Sequence, residues 1–263
     1  MDKFWYEKQL DETINQAIKS CYSKTWNEDE ITTSLLKNLG EFLNTNTYKD
    51  PLTGETSIKF IGYKYKGTPE TDYGDIALLV TIRFDNGLKF KGIGLLEAKK
   101  RLEDKYEYRK PSSTGQFANI LKNAPYANLL LYDYEPLTQI INPYSDIVDV
   151  RHYYYDDIYR EIIPKSISPS NCVTCPLYLV RDDTEILRKI TRSCSRLSEQ
   201  LLNRYFHGLD LHTDSAAMSA LTKFDKKNSP RFVATIELTH GDTELGDNEF
   251  TVPQDQYERF VNG

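Results

Sequence analysis

Apolar residues recur every three or four positions between Phe4 and Ile18, which predicts an amphipathic helix at the start of the chain. A second stripe, Ile31, Leu35, Leu36, Leu39 and Leu43, follows Asn27, a side chain suited to capping a helix, and an acidic first turn at Glu28 to Glu30. Gly40 is expected to weaken the last turns of that helix. The Asp-Pro and Thr-Gly pairs within residues 50–56 mark a loop, after which SIKFIGYKY (57–65) alternates in the manner of a half-buried strand. Gly74-Asp75 opens the apolar run IALLVTIRF. The tight-turn signal Asp85-Asn86-Gly87 then returns the chain as LKFKGIGLLEAK, so the two runs form a hairpin. Pro111-Ser112-Ser113 breaks the chain before a helix reading GQFANILKN, and ANLLLYDY (127–134) is a continuous apolar run suited to an inner strand.

The order through residue 134 is therefore helix, three strands, helix, strand. Beyond it, residues 136–170 carry several prolines and the tyrosines Tyr153, Tyr154, Tyr155 and Tyr159, with no clear period. CPLYLV reads as a strand, and Asp183 to Phe206 reads as one long helix with Leu187, Ile190, Leu197, Leu201 and Leu202 on one side. RFVATIELT (231–239) is a convincing strand between polar loops, and the chain has no internal repeat or low-complexity tract. The expected fold is α/β, with a mixed central sheet. A helix-strand-strand-strand-helix-strand core spans residues 26–134, an amino-terminal helix spans 1–25, and a helical and strand extension over 135–263 packs on the core.

Composition narrows the class. Of 263 residues, 39% are hydrophobic and 27% charged, the profile of a chain with a real core rather than a disordered one. No apolar run reaches membrane-spanning length, and MDKFWYEKQL lacks the order of a signal peptide, so the chain reads as cytoplasmic and free of the membrane. A net charge of −6 is unsuited to coating DNA unaided; nucleic-acid work would need a local patch, a metal or a partner.

The hairpin carries the chemistry. Asp75 begins one strand, 21 residues separate it from Glu97 near the end of the other, and strand alternation sends Glu97 and Lys99 to one face. Two carboxylates and an ammonium thus converge beside apolar sheet, where burying them is costly without a partner. Paired carboxylates are hard oxygen ligands for Mg2+, with Mn2+ as a substitute. Lys99 would serve the nucleophilic water and neutralise charge developing on a phosphodiester.

This unit resembles the PD-(D/E)xK, or restriction-endonuclease-like, nuclease superfamily over roughly residues 26–134, about half of the chain. Asp75 stands as the motif's first acidic residue, Glu97-Ala98-Lys99 as its Glu-x-Lys, and the element order matches the superfamily's core. Gly74 stands where a proline usually precedes the first aspartate. NEDEITTSLL looks like the Glu-Asn-x-Leu-Thr form of some members, with Asp29 in place of Asn, which favours Glu28 over Glu30 as a further metal ligand. Gln116 occupies the place of a glutamine found at the start of the following helix in the exonuclease branch. The resemblance implies a Mg2+-dependent deoxyribonuclease within a prokaryotic restriction, antiphage-defence or DNA-processing system. Such a module would work with a helicase, an ATPase, a second defence subunit or a second copy of itself. The rival reading is a nuclease-fold subunit that cleaves nothing and serves binding or assembly, against which the intact Asp75, Glu97 and Lys99 set counts.

Two further signals stand apart from the hairpin. KKRLEDKYEYRK (99–110) offers Lys100, Arg101, Lys105, Arg109 and Lys110 for a phosphate backbone and Tyr106 or Tyr108 for base stacking, while Glu103, Asp104 and Glu107 cancel half of that charge. Cys172-Val-Thr-Cys175-Pro looks like the Cys-x-x-Cys-Pro of the superfamily's iron–sulfur branch, with Cys21 upstream and Cys194 downstream. The 18 residues between Cys175 and Cys194 do not match that branch, so reduced, metal-free thiols are expected instead. His207 and His212 near Cys194 raise zinc as a weaker alternative.

Overall fold

The structure, a computed structural model, describes residues 1–22, 24–51, 53–67, 72–103, 108, 115–136, 170–180, 194–224, 229–241, 243–246 and 249–261. Two long helices come first, α1 (Lys3–Tyr22) and α2 (Glu28–Thr45), the latter capped by the Asn27 side chain, which accepts the Glu30 amide. The strands are β1 (Tyr48–Asp50), β2 (Gly54–Tyr65), β3 (Ile76–Arg83), β4 (Lys89–Lys100) and β5 (Asn128–Tyr132), with α3 (Gln116–Asn123) between the last two. There follow β6 (Cys172–Pro176), β7 (Ser195–Arg196), α4 (Leu197–Asn203), α5 (Ser215–Thr222), β8 (Phe232–His240) and β9 (Tyr257–Val261).

The strands form a single mixed sheet in the order β1-β2-β8-β3-β4-β5-β6-β7, with β9 also on β2. The β3–β4 hairpin forms with Ile76 opposite Leu96 and Arg83 opposite Lys89, and β5 joins β4 in parallel. Period-two alternation then divides the core. Ile76, Leu78, Val80, Leu96 and Ala98 face α1 and α2, and Ala77, Leu79, Ile93, Leu95, Leu129 and Leu131 face Phe117 and Ile120 of α3. Both faces of β3 are covered, which is why Ile76 to Val80 are all apolar.

Three expectations are corrected. Residues 135–263 do not merely pack on a 26–134 core, because β8 inserts between β2 and β3, antiparallel to one and parallel to the other, with every residue buried. The strand expected at CPLYLV lies earlier, at Cys172–Pro176; Pro176 has no amide to continue a ladder, and Leu177–Leu179 form a 3-10 turn. The long helix expected over Asp183–Phe206 is not continuous. Ser195 and Arg196 pair with Thr174 and Val173 of β6, and among the described residues of that stretch Leu197–Asn203 is the α-helical part. The Arg196 guanidinium reaches Glu7 and Asp11 on α1, and the Ser198 hydroxyl donates to Asp11, tertiary contacts that override local period. Residues 181–193 of that segment, and 137–169, lie outside the described residues.

Gly40, read as a weakness, is a packing requirement. A Cβ there would lie 2.2 Å from Val261 Cγ1, so the missing side chain lets β9 lie against α2, which continues to Thr45. Among the described residues no helix is long and apolar enough to cross a membrane.

Candidate active site

The site is built where β3 begins and β4 ends. Regular pairing stops at Ile76 and Leu96, yet Asp75 N donates to Leu96 O at 2.9 Å, and Asp75 Oδ2 accepts the next amide, Ala98 N, at 3.0 Å. The aspartate side chain thereby finishes the ladder and is fixed beside Glu97. Gly74 enters this corner at φ +97°, a region no proline can adopt, and a Cβ on it would sit 2.9 Å from Leu96 O. That geometry accounts for glycine, rather than proline, at this position. Gly74→Ala should cost about 1–3 kcal/mol through backbone strain and displace Asp75. Urea denaturation checks it, and an unchanged midpoint would show that the corner is not strained.

Alternation puts Glu97 and Lys99 on the α3 side of the sheet, both buried. Lys99 Nζ donates to Glu97 Oε1 at 2.5 Å and to Ala98 O at 3.0 Å, and lies 6.0 Å from the Phe117 ring centroid. Gln116 Nε2, at the first residue of α3, donates to the same Glu97 oxygen at 2.8 Å. Phe117 and Ile120, both buried, anchor α3 so that its amino end meets β4. From the opposite side Glu28 Oε1 accepts Lys100 N at 3.3 Å, whereas Glu30 is exposed. The structure thus gathers Asp75, Glu97, Lys99, Gln116 and Glu28 around one end of the sheet.

One atom of this set is left over. Glu97 Oε2 is buried and receives no hydrogen bond from a protein N–H; its polar neighbour is the Asp75 carboxyl. Burial, and then the Asp75 charge, push the Glu97 carboxyl well up, with Lys99 offsetting only part of the effect. Burial pulls Lys99 down, but the charges of Glu97, Asp75 and Glu28 outweigh it and the net direction is up, so Lys99 keeps its proton at neutral pH. The residues fit a divalent cation on these grounds. Among the described residues no three His, Cys, Asp or Glu groups form a ready-made metal cage. Mg2+ does not need one, since it is commonly held by one or two carboxylates with waters and substrate phosphates.

The raised Glu97 pKa has a consequence for stability. For a carboxyl raised on folding, the stability it contributes is complete below its unfolded value of 4.5 and is lost as pH rises through the folded value. The metal-free protein should therefore melt progressively lower between about pH 4.5 and about pH 8, and Mg2+ should restore most at the upper end. Thermal melts in EDTA and in Mg2+ measure this; an identical pH slope in Glu97→Gln would remove Glu97 as the cause.

The expected DNA contacts fare differently. Arg101 is buried and pairs with Asp133 at 2.9 Å and Glu135 at 2.7 Å, while Tyr108 is buried with its hydroxyl 3.0 Å from Asp133 Oδ2. Lys100 is half-buried, its ammonium on the Trp26 carbonyl at 2.5 Å. These three are structural, because charges and aromatics leaving a buried strand are drawn into its end rather than into solvent. Lys105, Tyr106, Arg109 and Lys110 lie outside the described residues.

The cysteines are free and divided by the sheet. Cys21 and Cys172 lie on the α1–α2 side, and Cys175 and Cys194 lie together on the α3 side. A single four-thiolate cluster would need all of them on one side. His207 contacts Lys3 and Asp50, and the His212 ring lies tilted against Tyr126; among the described residues neither forms a metal-ligand group with Cys194.

Beside Asp75 a cleft of about 230 Å3 is lined by Glu28, Asp29, Thr32, Arg231 and Phe232 among others. Arg231 and Lys64 both pair with Asp29 there. Nothing local in the sequence marks Arg231, which precedes a strand 156 residues beyond Asp75; only the insertion of β8 beside β3 brings it here. No family model, no curated protein and no solved structure matches the chain.

Proposed function

We propose that the chain is a Mg2+-dependent phosphodiesterase acting on DNA. The observation that carries this reading is the buried, donor-free Oε2 of Glu97 beside Asp75, a carboxylate pair that Lys99 neutralises only in part. Asp75 and Glu97 would hold the cation, with Glu28 on the other side of the site. A bound Mg2+ supplies Lewis-acid polarisation of a phosphodiester and favours ionisation of water. Gln116 and Lys99 donate to Oε1 of Glu97, leaving Oε2 for the cation. Lys99, held protonated, acts as a buried cation that neutralises charge developing on phosphate, rather than as a base.

DNA as substrate, and a place in a restriction or antiphage system, rest on the resemblance to PD-(D/E)xK nucleases. A partner with a basic channel, such as a helicase or ATPase, would supply substrate to a chain of net charge −6 whose Lys100 and Arg101 are engaged internally. The test is cleavage of labelled DNA by the purified chain with Mg2+ or EDTA, for wild type and Glu97→Gln. Metal-dependent cutting lost in the variant supports the reading, and equal cutting by both overturns it. Rapid turnover by the isolated chain would remove the need for a partner.

A further inference from the structure

We propose that Arg231 and Lys64 form a phosphate subsite, gripping a nucleic-acid backbone phosphate next to the one that a cation on Asp75 and Glu97 would engage. The inference rests on the phosphodiesterase reading for its substrate, but its evidence is separate. Strand β8 begins between the end of β2 and the start of β3. Its Phe232 N donates to Asp75 O at 2.9 Å, Tyr65 N donates to Arg231 O at 2.9 Å, and Phe232 lies opposite Lys64. Insertion of this strand therefore sets one cation on each side of the Asp29 carboxylate, which lines the cleft together with Arg231 and Asp75.

The pairing at Asp29 favours an anion once a bound cation offsets Glu28 and Asp75, which line the same cleft. Lys64 donates to Asp29 Oδ2 at 2.7 Å and Arg231 Nε donates to Oδ1, so one carboxylate serves two cations and a unit of positive charge remains. Arg231 meets Asp29 through Nε, which leaves four of the five guanidinium N–H donors unspent on that carboxylate. The Arg231 and Lys64 side chains are 35% and 30% exposed, so both are reachable from solvent without opening the core. A guanidinium next to an ammonium is well matched to phosphate oxygens. Asp29 holds the two cations apart and in place until a phosphate replaces it.

A strut between α2, β2 and β8 would use the same three residues, and Asp29→Asn separates the two roles. A subsite gains positive charge when Asp29 is neutralised; a strut loses its centre. Binding of a labelled DNA duplex with a single-stranded tail would be measured by anisotropy between about 50 and about 200 mM salt, in a Glu97→Gln background so that the strand stays intact. Arg231→Gln and Lys64→Gln should each weaken binding about 10-fold and lower the slope of log Kd against log salt by roughly one, whereas Asp29→Asn should tighten it. Unchanged affinity in both cation variants, or Asp29→Asn weakening binding as they do, overturns the subsite.

Cleavage by the otherwise unaltered chain separates this failure from that of the phosphodiesterase reading. Mg2+-dependent cutting with normal binding by Arg231→Gln sinks the subsite alone. No cutting, with binding that still depends on Arg231, sinks the enzyme and leaves a nucleic-acid-binding subunit that uses this subsite. No cutting and no DNA binding at about 50 mM salt sinks both.

Discussion

Glu97→Gln should lower Mg2+-dependent cleavage of DNA by about 10^3-fold or more while leaving the protein folded. The substitution keeps the size of the side chain and its Oε1, which Lys99 and Gln116 can still approach, but replaces the donor-free oxygen and removes one negative charge. Loss of one carboxylate from a site that offers Asp75 and Glu97 weakens the hold on a cation, and interactions made with charge developing in the transition state are worth several kcal/mol. The rate, rather than substrate affinity, should carry the loss. Metal-free stability should rise above that of the parent at high pH, because a buried carboxyl that resists ionisation is gone. This pairing of lost activity with gained stability separates a functional site from a structural ion cluster, in which breaking the Glu97–Lys99 pair would simply destabilise. Rates from a gel-based assay and melts in EDTA at about pH 8 decide the matter. Cleavage within about 10-fold of wild type would end the assignment of Glu97.

The hairpin and its site were legible because each depends on short-range patterns. A turn at Asp85-Asn86-Gly87 sets the register, the register puts Asp75 next to Glu97, and alternation puts Lys99 on the same side as Glu97. The N-cap at Asn27 likewise fixed where α2 starts and hence that Glu28, one residue on, meets the end of β4. What could not be read depends on contacts far apart in sequence. RFVATIELT is plain as a strand, but no local feature says that it enters between β2 and β3, or that Arg231 at its head stands by Asp75. The long helix was misjudged for the same reason. Leu197, Leu201 and Leu202 have helical spacing, while Ser195 and Arg196, just before them, are claimed by β6 and by Asp11.

The charged run after Lys99 gives the sharpest case, and Arg101→Leu should cost about 3–5 kcal/mol of stability. Composition gives Arg101 the look of a solvent-facing phosphate contact, but its side chain is 6% exposed and that of its partner Asp133 is 3% exposed. Removing the guanidinium would leave Asp133 buried with, among the described residues, the Tyr108 hydroxyl and the Glu135 amide as donors, too little to replace a charge. The Glu135 leg, with that side chain 56% exposed, adds little. Arg101 also lies 4.5 Å over the Tyr134 ring, and its carbonyl takes the Trp26 indole N–H at 2.7 Å, so the same residue ties the end of β4 to the segment leading into α2. Asp133→Leu in addition should recover much of the loss, because an apolar pair strands no charge. Chemical denaturation of the two variants provides the measurement. A stability change of under about 0.5 kcal/mol in Arg101→Leu, accompanied by weaker DNA binding, would return Arg101 to the substrate surface.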